Sequence, residues 1–139
     1  MSAPVLLSRE TFKAQVLARN RGRCVFCESD ADAAHHILER KLFSDGGCYL
    51  DNGAAVCEAH HWACETTALS VAEVRQQAGI TNLVLPPDLC AESTYDKWGN
   101  RLRADGLLEE GPLAQDPGMR KALAAGGKLG FLVPAGTPE

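Results

Sequence analysis

Long apolar runs are missing from this chain. The longest one near its start is Val5-Leu6-Leu7, and Ser8-Arg9-Glu10 follows at once. Neither a signal-peptide core nor a membrane-spanning helix can be drawn from so short a stretch, so a cytoplasmic protein without a membrane partner is expected. An excess of positive charge is missing too. Fourteen Lys and Arg face eighteen Asp and Glu, a formal charge of −4, so total charge gives no sign of a nucleic-acid partner. The total hides an asymmetry: residues 1–23 hold Arg9, Lys13, Arg19, Arg21 and Arg23 against Glu10 alone, a net of +4 that leaves −8 for the rest. There is no internal repeat. With 45% apolar and 23% charged residues, collagen, coiled coil and wholesale disorder are excluded. A chain of 139 residues can bury roughly two-thirds of its extended surface around a core.

What the chain does have is a block of cysteine and histidine. Five of the six cysteines and all four histidines fall between positions 24 and 64. A disulfide framework needs an oxidising compartment, for which the N-terminal residues give no signal, so metal binding is the better reading. Cys24-Val25-Phe26-Cys27 and Cys57-Glu58-Ala59-His60 each offer two ligands separated by two residues. Such a pair can pinch one ion from a tight turn or a helix face, and two pairs complete a closed tetrahedral zinc site. The lesser alternative for either half alone is a buried pair of reduced cysteines. Cys64, one helical turn beyond His60, competes for the fourth position. The 29 residues between the halves exceed what a simple finger needs, so something else is built there.

Local signals divide the chain into elements. Ser8 can cap a helix whose apolar stripe is Phe12, Val16 and Leu17, which runs to about Asn20 and stops at Gly22. Ala33–Ile37 reads as a short strand, Ser44–Gly47 as a turn, and Cys48–Leu50 as the returning strand. Helices are expected from about Ala54 to Glu65, from the capping-box match Ser70-Val71-Ala72-Glu73 to Gly79, and from Asp116-Pro117 to Gly126. Ile80–Leu85 reads as a strand broken by Pro86-Pro87, and Trp98-Gly99-Asn100 as a hairpin turn. Residues 128–139 are a docked arm or a frayed tail. The expected fold class is α+β, with residues 1–66 as an N-terminal helix and metal-bound core and 67–139 as a small α/β appendage packed on it. Tyr95 and Trp98 read as packing residues, and Cys48 and Cys90 as small buried hydrophobes.

A second constellation lies inside the metal block: His35-His36-Ile37, Asp51-Asn52-Gly53 and His61. On a helix His60 and His61 point about 100° apart and so serve different ions, whereas His61 and Glu65 share a face at i and i+4 and can hold one metal. His35 and His36, as strand neighbours, point to opposite faces unless the strand ends or bends there.

At these residues the chain resembles the HNH endonucleases, the zinc-stapled branch of the ββα-metal (His-Me finger) nucleases. The markers are Cys24-x2-Cys27, His35-His36-Ile37, Leu42–Gly47, Asp51-Asn52-Gly53, Cys57-x2-His60-His61 and Glu65, over about residues 9 to 66. The resemblance implies a ββα core stapled by structural zinc on Cys24, Cys27, Cys57 and His60. It implies that His35 binds a catalytic cation, that His36 is the general base, that Asn52 orients that base or holds the loop, and that His61 completes the metal site. Glu65 stands where relatives have a further histidine, and a carboxylate there favours magnesium or manganese as the ion held by His35, His61 and Glu65.

The chemistry is coherent. Phosphodiester hydrolysis needs an activated water, which a neutral histidine can supply, and charge stabilisation, which a divalent cation can supply. DNA is the expected substrate and RNA is possible, since nothing in the motif reads a 2′ hydroxyl. The reading from a different class is a zinc-binding nucleic-acid or protein-interaction module without cleavage. Arg19, Arg21 and Arg23 are either a solvated helix end or a clamp on nucleic-acid phosphates. A monomer or a homodimer fits equally.

Overall fold

The computed structural model describes residues 4–139. It is a mixed α+β structure with four α-helices and two small sheets among the described residues. The first helix, α1 (Arg9–Arg19), starts where Ser8 Oγ accepts from the Thr11 N–H at 3.1 Å and places Glu10 at the positive end of the helix dipole. Phe12 and Val16, one turn apart, are its buried face. The helix ends as Gly22, in the left-handed region at φ +72°, donates to the Leu17 carbonyl.

Strands β1 (Ala33–His36) and β2 (Gly53–Val56) pair antiparallel, with His35 opposite Ala54 and His36 opposite Gly53. Helix α1 crosses this pair so closely that a Cβ on Gly53 would lie 2.5 Å from Val16 Cγ2 and 2.8 Å from the Phe12 ring. Only glycine permits that approach. Helix α2 (Glu58–Glu65) follows β2 directly and packs on the other side of the strands, and its first N–H is accepted by the Asp32 carboxylate at 3.0 Å.

Two expectations fail here for one reason. The alanines at 54 and 55 read as helix, yet Ala54, Ala55 and Val56 are the buried centre of β2. Ala54 and Val56 pack with Cys24, Cys64 and Val74, whereas Ala55 faces Phe12 and Val16. Both faces are covered, so the strand shows no polar alternation, and the close layers select small side chains over helix propensity. The returning strand is therefore β2 rather than Cys48–Leu50, which runs without a ladder into a 3-10 turn at Leu50–Asn52.

Helix α3 (Val71–Ala78) forms the full capping box of Ser70 and Glu73 and ends at Gly79, φ +71°. Ile80–Leu85, expected as a strand, bends at Asn82 and joins no sheet among the described residues, and its buried Val84 packs instead with Leu38, Leu42 and Phe43. A single bridge, Tyr95 to Arg101, closes the turn at Trp98–Asn100, where the Asp96 carboxylate accepts from the Trp98 and Asn100 N–H groups at 2.9 Å each. A hairpin comes next, in which β3 (Arg101–Leu102) pairs with β4 (Leu108–Glu109) across a turn at Asp105-Gly106, where Gly106 lies at φ +87° and its N–H donates to the Arg103 carbonyl at 3.1 Å. Helix α4 (Pro117–Ala125) is capped by Asp116, and β5 (Leu132–Val133) then runs parallel to β4. The last residues are docked, with Arg103 donating to the Thr137 and Pro138 carbonyls at 2.8 and 2.9 Å. Cys48 is buried as expected. Cys90 is exposed instead, because the segment after Leu89 turns outward and the thiol meets only Ser93 and Tyr95. Among the described residues no helix is long and apolar enough to cross a membrane.

Candidate functional site

Helix α2 carries ligands for two separate clusters. In the first, Cys24, Cys27, Cys57 and His60 bring one ligand atom each to within 4.8 Å of one another, a set that can hold a metal ion such as zinc. The first pair sits in a knuckle closed by the Cys24 N–H on the Ser29 carbonyl at 2.7 Å and the Glu28 N–H on the Cys24 carbonyl at 3.0 Å, with Glu28 in the left-handed region at φ +62°. Cys57 is the N-cap of α2 and His60 lies three residues into it, so one helical turn presents both. His60 Nδ1 is 3.2 Å from Cys57 Sγ and 3.6 Å from Cys24 Sγ, and its ring stacks on Phe26 at 5.2 Å.

Hydrogen bonds from Ser29 lower the Cys27 thiol and the His60 backbone N–H lowers that of Cys57, while burial raises that of Cys24. Two of the three thiols are thus already biased toward the thiolate that a metal needs. Cys64 stands apart. It packs among Ile37, Val56 and Val74, and burial pushes its thiol up to about 12, the behaviour of an inert core cysteine.

The second cluster is His35, His61 and Glu65. His35, in β1, points toward α2 and is 2% exposed; His61 and Glu65 lie one turn apart on that helix. Glu65 Oε1 is 3.3 Å from both His35 Nδ1 and His61 Nε2, and the two rings meet edge to face at 5.3 Å. His35 Nδ1 is buried yet makes no well-aligned hydrogen bond. Two ligands about 2.1 Å from a common ion are separated by roughly 3.0 to 3.4 Å, so these spacings, the unpartnered buried nitrogen and the mixed imidazole–carboxylate donors fit a divalent cation.

Burial holds the His35 imidazole down at about 4, which keeps it neutral and able to ligate near pH 7. Burial alone would raise Glu65. The proximity of His35 and His61 and the charge of Lys97 outweigh it and hold the carboxylate ionised, below its usual range.

His36 is the last residue of β1 and points away from His35, toward α1, where its ring stacks on Phe12 at 4.5 Å. Its Nε2 is 3.6 Å from Cys48 Sγ. Because the strand ends here, His36 still reaches the cleft of about 240 Å³ that His61 and Glu65 also line. Burial, followed by the charge of Lys97, brings His36 down to about 4, so it too is neutral near pH 7. Asn52, 1% exposed, spends its whole amide on backbone: Oδ1 accepts from the Leu38 N–H at 3.0 Å, and Nδ2 donates to the Leu38 and Gly47 carbonyls at 3.1 and 3.2 Å. Its place is therefore in holding the loop between the strands, with no bond to His36.

Lys97 and Glu39, which also line the cleft, carry no signal in the sequence. Lys97, buried, donates to Glu39 Oε2 at 2.8 Å and lies 3.5 Å from Glu65 Oε1, and its ammonium sits 4.6 Å from the Trp98 ring centroid. The next residue, Trp98, donates its Nε1–H to the Glu65 carbonyl at 2.9 Å, so residues 97–98 grip the end of α2 by both chain and side chain. No local pattern flags a lone Glu and a lone Lys 58 residues apart.

Of the three arginines read as a possible clamp, Arg19 turns inward. It donates to the Leu50 carbonyl at 2.9 Å and to that of Gly53, beside Asp51. Arg23 lies 3.6 Å from Asp30, and Arg21 is exposed. Their face opens on a depression that shares no residue with the cleft at His36. Comparison of the chain with protein-family models, with curated proteins and with solved structures finds no match.

Proposed function

We propose that the chain is a metal-dependent endonuclease of the HNH type that hydrolyses phosphodiester bonds in DNA. The observation that supports it most is the cleft where a neutral His36 stands beside the His35, His61 and Glu65 cluster. On this reading β1, β2 and α2 are the ββα-metal core, and Cys24, Cys27, Cys57 and His60 hold a structural zinc that ties the N-terminal knuckle to α2. A magnesium or manganese ion held by His35, His61 and Glu65 would supply charge stabilisation at the phosphate and at the leaving 3′ oxygen. His36 takes the proton from the attacking water as the new P–O bond forms and the bond to the 3′ oxygen breaks, and the departing 3′ oxygen takes a proton from a solvent water, which leaves a 5′ phosphate and a 3′ hydroxyl. Phe12 fixes the plane of the base by stacking, Asn52 keeps the intervening loop closed, and Lys97 and Trp98 hold Glu65 in place.

A supercoiled-plasmid assay with magnesium or manganese, run beside a folded RNA, tests this. Nicking of DNA that EDTA stops and added magnesium restores is expected. Nucleic-acid binding with no cleavage under any of these ions would overturn the nuclease reading in favour of an interaction module, and cleavage of RNA alone would reassign the substrate.

A further inference from the structure

The cleft at His36 does not end there. A second depression, of about 340 Å³, adjoins it, and the two share Arg9, Ala34 and His36 in their walls. Together they form one trough along the outer edge of β1. Three exposed cations rim it: Arg9 and Lys13, one turn apart on α1, and Arg40 just beyond β1. Among the described residues none of the three forms a salt bridge or a side-chain hydrogen bond, unlike Arg19 and Arg23. Acidic groups face the trough as well, but Glu39 is neutralised by Lys97, Glu65 belongs to the metal cluster, and Glu10 is the remaining one.

The strand edge adds donors. In β1 and β2 the pairs alternate between bonded and non-bonded, and the Ile37 N–H on the Asn52 carbonyl and the Val25 N–H on the Ala55 carbonyl set the phase. Ala34 and His36 are then the residues whose backbone groups turn outward, onto the trough, where no further strand lies among the described residues.

From these placements we infer that one strand of DNA lies along this trough, its scissile phosphate at His36 and its neighbouring phosphates on Arg9 and Lys13 to one side and Arg40 to the other. The outward N–H of Ala34 is a backbone donor to the same strand. Charge complementarity carries the assignment: three unpaired cations converge on an open strand edge, whereas the Arg19–Arg23 face is partly neutralised and opens elsewhere. The position of the scissile phosphate rests on the nuclease reading; the track does not.

The test is binding, read apart from cleavage. Fluorescence anisotropy with a short labelled DNA duplex of mixed sequence, in calcium in place of magnesium, is measured against salt for the full chain. The compared variants are Arg9→Gln/Lys13→Gln/Arg40→Gln and Arg21→Gln/Arg23→Gln. The triple variant is expected to bind at least about tenfold more weakly, with a salt slope reduced by about 2 to 3, since each phosphate contact contributes about 0.9. The double variant should stay within about twofold of the parent. All five positions are exposed, so unchanged melting curves are expected for both variants. A triple variant with the parent's affinity and slope, a loss confined to the double variant, or a parent that binds no DNA overturns the track. A parent that binds through the trough but does not nick leaves the track standing and overturns the nuclease alone.

Discussion

In the proposed reaction His36 accepts a proton, and its surroundings decide when it can. Burial against Phe12, then the nearby charge of Lys97, hold its protonation down at about 4, below the ordinary histidine value. The active form is the neutral one, so lowering this value widens the range of activity downward. The cleavage rate should be flat between about pH 6 and pH 8 and fall as pH drops toward 4, where His36 takes up a proton and the buried His35 does the same. His36→Ala should lower the rate by about 10²-fold or more at pH 7 while metal content, measured by mass spectrometry, stays at the parent's value. A variant that nicks within a few-fold of the parent removes His36 from the mechanism. Asn52 works differently, through three bonds to backbone and none to the base.

At the scale of elements, α2 is the part that joins two chemistries. Its successive residues His60 and His61 diverge around the helix, one toward the cysteine cluster and the other toward His35 and Glu65. In the proposed arrangement a zinc closed between the knuckle and α2 would contribute its binding energy to folding, whereas a cation bound by His35, His61 and Glu65 would keep open positions for water and substrate. Cys27→Ala should therefore release the zinc and lower the melting temperature by about 10 °C or more, since even a few kcal/mol moves a domain of this size that far. His61→Ala should retain about one zinc per chain and a melting temperature near the parent's, yet lose cleavage in magnesium and manganese. Loss of zinc and unfolding in His61→Ala would show that the division of these neighbours between two ions is wrong.

At the scale of the whole molecule, the question is how residues beyond α2 bear on a site whose ligands all precede Thr66. Lys97 is the link. Its side chain is 4% exposed and that of Glu39 is 10% exposed, so the ion pair between them is buried and each charge depends on the other. Removing one partner strands the other in a poorly solvated place, at a cost of about 3 to 5 kcal/mol, while replacing both is often nearly neutral. Lys97→Met should accordingly lower the urea midpoint strongly, and Lys97→Met/Glu39→Leu should recover most of the loss. Equal midpoints for Lys97→Met and the parent would show that the C-terminal part does not support the cleft through this pair.

Much of this molecule is written locally. Ser8, the Ser70–Glu73 box, Asp116-Pro117 and the glycines at 22 and 79 announce helix ends because caps act within one turn. The pairs Cys24 with Cys27, Cys57 with His60, and His61 with Glu65 are legible for the same reason: two-residue and i,i+4 spacings bring residues together within one turn, whereas the meeting of the first two pairs, and of His35 with the third, takes the folded strands between them. What the sequence alone could not settle depends on contacts closed over tens of residues. Packing of α1 and α2 on both faces makes Ala54–Val56 a strand although their composition favours helix. The end of β1 lets His36 reach the cleft from the opposite face to His35, and the loop fold assigns the Asn52 amide to backbone. The pairing of Lys97 with Glu39 and the meeting of Arg9, Lys13 and Arg40 at one strand edge arise in the same way. Spacing along the chain determines which ligands and caps find one another, whereas burial and charge pairing are properties of a closed packing that no short window of residues contains.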